Sequence, residues 1–222
     1  MRDTLHAISD DKAQLMSVTE FNYYPNRYIH PDWVARLENS QVIKKLLNNA
    51  RSEDNLAGYL LDRFELKDKL WFEFDSPLRR LLLQPRSDIL RVVMFAGAVL
   101  NSEHASKAIH NKDVVRMRRG FGDVLFDFAL KEVPFLFDLT YLPRLAAPAP
   151  DTDIQAHLAA SGLWCLGKAL QGEPEALVER LYLKMSAAEY PFLESQPATF
   201  HKQPCTSVIN TVIETKLASM DC

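Results

Sequence analysis

Cysteine, glycine and long apolar runs are all scarce in this chain of 222 residues. The three cysteines include no CxxC pair and are too few for a disulfide framework, which indicates a reducing compartment such as the cytoplasm. The seven glycines form no GxxxxGK[ST] or GxGxxG phosphate loop, and the hydrolase pattern GxSxG is missing as well. The longest apolar run, 89–100, is interrupted by Arg91 and is shorter than the roughly 20 residues that span a bilayer. The sequence therefore predicts no direct membrane insertion.

Positive charge is also in short supply, because 26 Lys and Arg face 29 Asp and Glu, a formal net charge of −3. Proteins held by nucleic-acid phosphates usually have a basic face and an elevated isoelectric point, so we expect no nucleic-acid partner. The first residues are polar and lack the apolar core of a signal peptide, which argues against Sec-type export.

Apolar residues recur at helical spacing along most of the chain. The clearest examples are the nearly all-apolar run 89–100, the stripe from Phe121 to Ala129, and a long helix after Thr152, predicted to end before Gly172. Within that long helix the run 159–162 (AASG) is small enough to let a neighbouring helix approach closely. The fold class predicted is all-α.

The predicted organisation is a polar N-terminal extension over 1–18 followed by a single compact helical domain over 19–222. An irregular aromatic arm opens that domain at 21–33, where two prolines lie among the aromatic residues. This arm is either an exposed interface hot spot or, as we favour, packed onto its own domain. Residues 65–86 have no clear pattern: 71–74 alternates like a short strand, and the stretch bracketed by Pro77 and Pro85 is predicted to be mostly loop. Residues 190–204 are predicted to be coil.

Catalytic and metal-binding motifs are missing from the sequence. The six histidines include no HExxH motif and no pair spaced four residues apart, so neither a metal site nor a cofactor is predicted. No catalytic residue is proposed, and the protein is predicted not to be an enzyme. The alternative is a helical hydrolase whose site is assembled from distant His and Asp residues.

The densest local charge is the basic cluster of Arg116, Arg118 and Arg119. It either docks an acidic partner or is the solvated C-terminal end of a helix, where the helix dipole favours positive charge. We take these three arginines as the candidate partner-binding residues.

Three ordered segments resemble the SctK/YscK family, the K-type adaptors of bacterial type III secretion. They are Phe21–His30 (FNYYPNRYIH), Leu82–Ser87 (LLQPRS) leading into the apolar helix, and Gly162–Trp164 followed by Glu179–Lys184 (ERLYLK). The resemblance covers roughly residues 20–218, whereas the first 18 residues and the basic cluster have no counterpart in it.

This resemblance implies a non-enzymatic adaptor of the sorting platform, located in the bacterial cytoplasm at the inner membrane through the secretion apparatus. Its expected partners are the forkhead-associated-like cytoplasmic domain of the inner-membrane ring protein, SctD, and the pod protein, SctQ. The stator and the ATPase would be connected to it indirectly through the pod protein.

Overall fold

Helices supply the regular secondary structure of the computed structural model, which describes residues 2–149 and 151–217 and contains no β-strand in those residues. The predicted all-α fold class is confirmed. By its contacts the chain divides into two compact units: unit 1 comprises Met1–Arg86 with Glu173–Ala188, and unit 2 comprises Ser87–Gly172 with Glu189–Cys222. The predicted domain boundary at residue 18 lies within the first helix and stays a prediction.

Unit 1 is formed by six α-helices and two 3-10 turns. The helices are α1 (Arg2–Tyr23), α2 (Pro31–Ala35), α3 (Ser40–Leu47), α4 (Glu53–Arg63), α5 (Pro77–Leu83) and α12 (Glu175–Lys184), and the turns are Pro25–Arg27 and Ala50–Ser52. A cluster of apolar side chains from α2 to α4, together with Leu183 of α12, forms a core within it. The predicted irregular arm corresponds to the break between α1 and α2, where Pro25 starts the first 3-10 turn.

Two buried cations on α12 hold unit 1 together. The fully buried guanidinium of Arg180 donates to the carbonyl oxygens of five residues: Phe21, Asn22, Leu66, Lys69 and Ala176. One helical turn later, the Lys184 ammonium donates to the carbonyl oxygens of Leu82 and Gln84, at 2.6 and 2.9 Å. Because buried carbonyls need partners, these two side chains fix segments that lie about 100 or more residues away in the sequence.

Unit 2 contains the other eight α-helices. They are α6 (Arg86–Leu100), α7 (Ser102–Lys107), α8 (Asn111–Phe121), α9 (Asp123–Lys131), α10 (Val133–Leu136), α11 (Ile154–Ala169), α13 (Tyr190–Glu194) and α14 (Lys202–Val212). A 3-10 turn at Leu139–Tyr141 and a π-helical turn at Ile213–Leu217 complete the unit.

The backbones of α6 and α11 touch at two glycines. A Cβ on Gly97 would overlap the Leu158 carbonyl, and a Cβ on Gly162 would overlap the Val93 carbonyl. The close approach predicted from the AASG run is therefore confirmed, and Gly162 is the residue that permits it.

Proline positions explain where the sequence-based secondary structure was wrong. The segment expected to be loop before Pro85 contains α5, and the expected coil at 190–204 contains α13 and the start of α14. In each of these helices a proline lies in the first turn, where its missing N–H has no helical acceptor to lose. The strand-like stretch 71–74 has no regular secondary structure, and no β-strand is present among the described residues.

Candidate functional site

A basic stripe runs along one face of α8. Lys112, Arg116 and Arg119 stand at positions i, i+4 and i+7 of this helix and therefore project from the same side. Val115 lies beside the stripe and leaves 59% of its surface exposed to solvent. These four residues form one wall of a groove of about 670 Å³, which we call the basic groove.

The opposite wall of the basic groove is the start of α11. Thr152, Asp153, Ile154 and Gln155 line it. The Asp153 carboxylate accepts hydrogen bonds from the backbone N–H groups of Gln155 and Ala156, at 2.9 and 3.3 Å, so it caps α11. Thr152 and Gln155 have the spacing of a capping box, which predicts Thr152 as the N-cap. That prediction is wrong by one residue, because the N-cap is Asp153.

Gly120 brings the two walls together. A Cβ at this position would overlap the Ile154 side chain, so only glycine lets the end of α8 pack this closely on the start of α11. Gly122 then takes a left-handed φ of 76° that ends α8 and starts α9.

The three cations of the stripe differ in what they already bind. Arg116 donates to the carbonyl of Ala149, which orients its guanidinium. The side chains of Lys112 and Arg119 have no hydrogen bond, ion pair or ring contact with the described side chains and backbone of residues 12–149 and 151–217. The Asp153 carboxylate, the acidic group of the groove, is occupied as a helix cap. Three cations therefore face one carboxylate, and the lining of the basic groove has a net positive charge.

Arg118 lies outside the basic groove, because its position on α8 faces a different side from Arg116 and Arg119. The three arginines of the predicted cluster therefore do not share one surface. Its guanidinium forms ion pairs with Asp123 at 2.5 Å and Asp127 at 3.5 Å on α9, and it also lies over the Phe126 ring. The hydrogen bond with Asp123 raises the pKa of Arg118. Sequence reasoning grouped Arg118 with its neighbours and missed Lys112 and Val115, although their helical spacing was the signal that identifies them.

A buried polar cluster of Asn101, His157 and Ser161 is the arrangement closest to the hydrolase alternative. The Asn101 amide donates to Ser161 Oγ at 2.9 Å, and the His157 ring contacts Asn101 Oδ1 at 3.0 Å. Asn101 thus lies between the histidine and the serine, and Ser161 Oγ donates to carbonyls of its own helix. Burial, with a smaller effect of His104, lowers the pKa of His157. This geometry satisfies buried polar groups and does not place a base on a nucleophile.

The described residues contain neither a cluster of metal ligands nor a membrane-spanning helix. In residues 2–149 and 151–217 no group of three or more His, Cys, Asp and Glu side chains could hold a metal ion. No helix in the same part of the chain is long and apolar enough to cross a membrane.

The aromatic arm packs largely within unit 1. Phe21 is buried and stacks on Tyr28 with ring centroids 6.1 Å apart. The Trp33 indole donates to the carbonyls of Tyr182 and Met185, at 2.9 and 2.8 Å. The interpretation that the arm packs on its own domain is confirmed for these residues, while Tyr23 stays partly exposed.

The family model YscK, described as YOP proteins translocation protein K, matches residues 15–218. No curated protein and no solved structure matches the chain significantly. The family match includes parts of both compact units and all three segments that carried the resemblance. The parts of those segments that lie in unit 1 also meet there, because Arg180 and Lys184 bind carbonyls of Phe21, Leu82 and Gln84.

Proposed function

The chain belongs to the YscK family of type III secretion proteins, and on this premise we propose that it is the adaptor of the sorting platform. It links the cytoplasmic domain of the inner-membrane ring protein, SctD, to the pod protein, SctQ, which carries the stator and the ATPase. It works in the bacterial cytoplasm beside the inner membrane, held there by the secretion apparatus. The observation that carries the proposal is a family match that spans nearly the whole chain.

Two surfaces of unit 2 fit a protein that holds two partners at once. The first is polar and is the basic groove with Arg116 and Arg119, whereas Arg118, the third arginine of α8, is paired with Asp123 and Asp127 outside it. The second is apolar and lies on α10 and the 3-10 turn after it, where Phe135 is 88% exposed and Tyr141 74% exposed. Exposed aromatic side chains of this kind are typical of interface anchors. We propose that each surface serves one partner.

These contacts are expected to be exchangeable. A partner held through exposed arginines binds more weakly as ionic strength rises, because salt screens exposed charges over about 8 Å at physiological concentration. Contact through Phe135 and Tyr141 depends on apolar burial and responds little to salt. The two surfaces can therefore be distinguished by salt dependence alone.

Affinity purification of the tagged chain after crosslinking in a secreting bacterium tests the proposal. We expect mass spectrometry to recover both the ring protein and the pod protein. Phe135→Ser should reduce recovery of one partner, and charge reversal at Arg116 and Arg119 should reduce recovery of the other. Recovery of neither partner by the unchanged chain would contradict the adaptor role.

The hydrolase alternative has less support. It requires two convergent carboxylates or histidines in a deep pocket, whereas the basic groove has one acidic lining residue, which caps a helix. The buried serine and histidine are separated by Asn101. The family to which the chain belongs is one of secretion-apparatus proteins.

A further inference from the structure

We propose that the basic groove between α8 and the start of α11 binds an acidic segment of a partner protein, and that one apolar side chain of this segment packs on Val115. This inference rests on the proposed adaptor function, since it specifies the chemistry of the partner at one of the two surfaces. It also changes the set of proposed contact residues, because Lys112 is included and Arg118 is excluded.

Charge is the first argument for an acidic occupant. The groove is lined by Lys112, Arg116 and Arg119 against a single carboxylate, that of Asp153. That carboxylate accepts hydrogen bonds from the N–H groups of α11 and forms no ion pair with these cations among the described residues, so the lining keeps an excess of positive charge. Acidic side chains are the complement of this surface.

Geometry favours an extended peptide over a small anion. The cations stand along about two turns of α8, spaced for successive carboxylates along a chain. The volume of about 670 Å³ accommodates several residues of a peptide. Arg116 is already oriented by its hydrogen bond to the Ala149 carbonyl. The side chains of Lys112 and Arg119 have no partner among the described residues, so they can turn toward a ligand.

The same observations disfavour a nucleic acid. Val115 places an exposed apolar side chain among the cations, where a phosphate backbone gains nothing. On the neighbouring face Arg118 is paired with Asp123 and Asp127, so the unpaired positive charge does not continue beyond the groove as a long phosphate backbone requires. A segment that alternates carboxylates with an apolar residue complements both the cations of the groove and the exposed Val115 side chain.

Fluorescence anisotropy with the purified full chain and synthetic ten-residue probes tests the proposal. The main probe carries Asp and Glu around one central Leu, and its matched control carries Asn and Gln instead. We expect the acidic probe alone to bind, with a dissociation constant that rises with salt. Arg118→Gln and Arg119→Gln each remove one positive charge from α8, on different faces, so Arg118→Gln is the matched control for Arg119→Gln and should weaken binding less. The double variant Lys112→Gln/Arg119→Gln should weaken binding by about tenfold, and Arg118→Gln by less than about twofold.

The proposal would be overturned if the acidic and amide probes bound equally well, or if neither bound. It would also be overturned if Arg118→Gln weakened binding of the acidic probe as much as the groove variants do. Tighter binding of a single-stranded oligonucleotide of matched charge would overturn it as well. Val115→Ser should weaken binding of the Leu probe but not of the same probe with Gly at its centre. If Val115→Ser left the Leu probe unaffected, the apolar contact would be refuted. The assay contains neither ring nor pod protein, so its failure leaves the adaptor role to be judged by the co-purification.

Discussion

The Arg180 guanidinium donates a 3.0 Å hydrogen bond to the backbone carbonyl of Phe21, 159 residues earlier in the chain. Four more carbonyls of the same unit accept from this side chain, and one turn away the Lys184 ammonium lies 5.4 Å from the centroid of the Phe21 ring. The two chain segments of unit 1, which are far apart in the sequence, are thus joined by buried cations that bind backbone carbonyls. Backbone carbonyls are present whatever the sequence, so a fixed pair of cations can hold them while surface residues vary.

Replacing Arg180 by Met should destabilise the protein by about 3–5 kcal/mol, because five buried carbonyls lose their charged donor and no water replaces it. Urea denaturation followed by circular dichroism measures the change. Arg119→Met removes an equally large but exposed cation and should alter the free energy of unfolding by less than about 0.5 kcal/mol. Equal effects of the two substitutions would show that the Arg180 network contributes little.

Lys184 should make stability rise with pH above neutrality. Burial lowers the pKa of its ammonium to about 7 in the folded chain, whereas an unfolded lysine titrates near about 10.4. Between these values the unfolded chain binds a proton that the folded chain has released. The unfolding free energy therefore gains up to about 1.4 kcal/mol per pH unit in this window, and the gain is lost as pH falls toward 7.

Urea denaturation at pH 6, 7, 8 and 9 of the unchanged chain and of Lys184→Met isolates this effect, since other titrating groups cancel in the difference. The difference in stability should move in favour of the unchanged chain from pH 7 to 9. A constant difference would mean that the carbonyls of Leu82 and Gln84 and the nearby rings keep the ammonium charged. Lys112→Met, an exposed replacement, serves as the control.

Adding a methyl group to Gly162 should be costly, whereas adding one to Gly58 should not. A Cβ on Gly162 overlaps the Val93 carbonyl where α6 and α11 touch, so the helices must separate. We expect Gly162→Ala to lower the unfolding free energy by about 1–3 kcal/mol. At Gly58, inside α4, a Cβ meets nothing within 4 Å, so alanine should stabilise by about 0.5–1 kcal/mol. Thermal unfolding of the two variants gives the comparison, and a stabilising Gly162→Ala would refute the close helix contact.

Local patterns predicted much of the fold. The helical class follows from apolar spacing, and a close helix contact at 159–162 follows from the small residues there, because both signals lie within a single helix. The sequence did not show that the neighbouring helix is α6. The start of α5 at Pro77 was missed because a proline ends one pattern and equally well begins another. The role of Arg180 could not be predicted, since a lone arginine in an amphipathic helix looks solvent-exposed until distant carbonyls surround it. The candidate site was half predicted: its arginines were identified, but which of them share a face depended on the register of α8.

Reconstitution from purified components tests the adaptor role most directly. The chain is mixed with the cytoplasmic domain of the ring protein and with the pod protein, and the mixture is separated by size-exclusion chromatography with light scattering. The account predicts a complex that contains all three proteins and that does not form from ring and pod proteins alone. Competition of the two partners for the chain, or assembly of ring and pod proteins without it, would contradict the account.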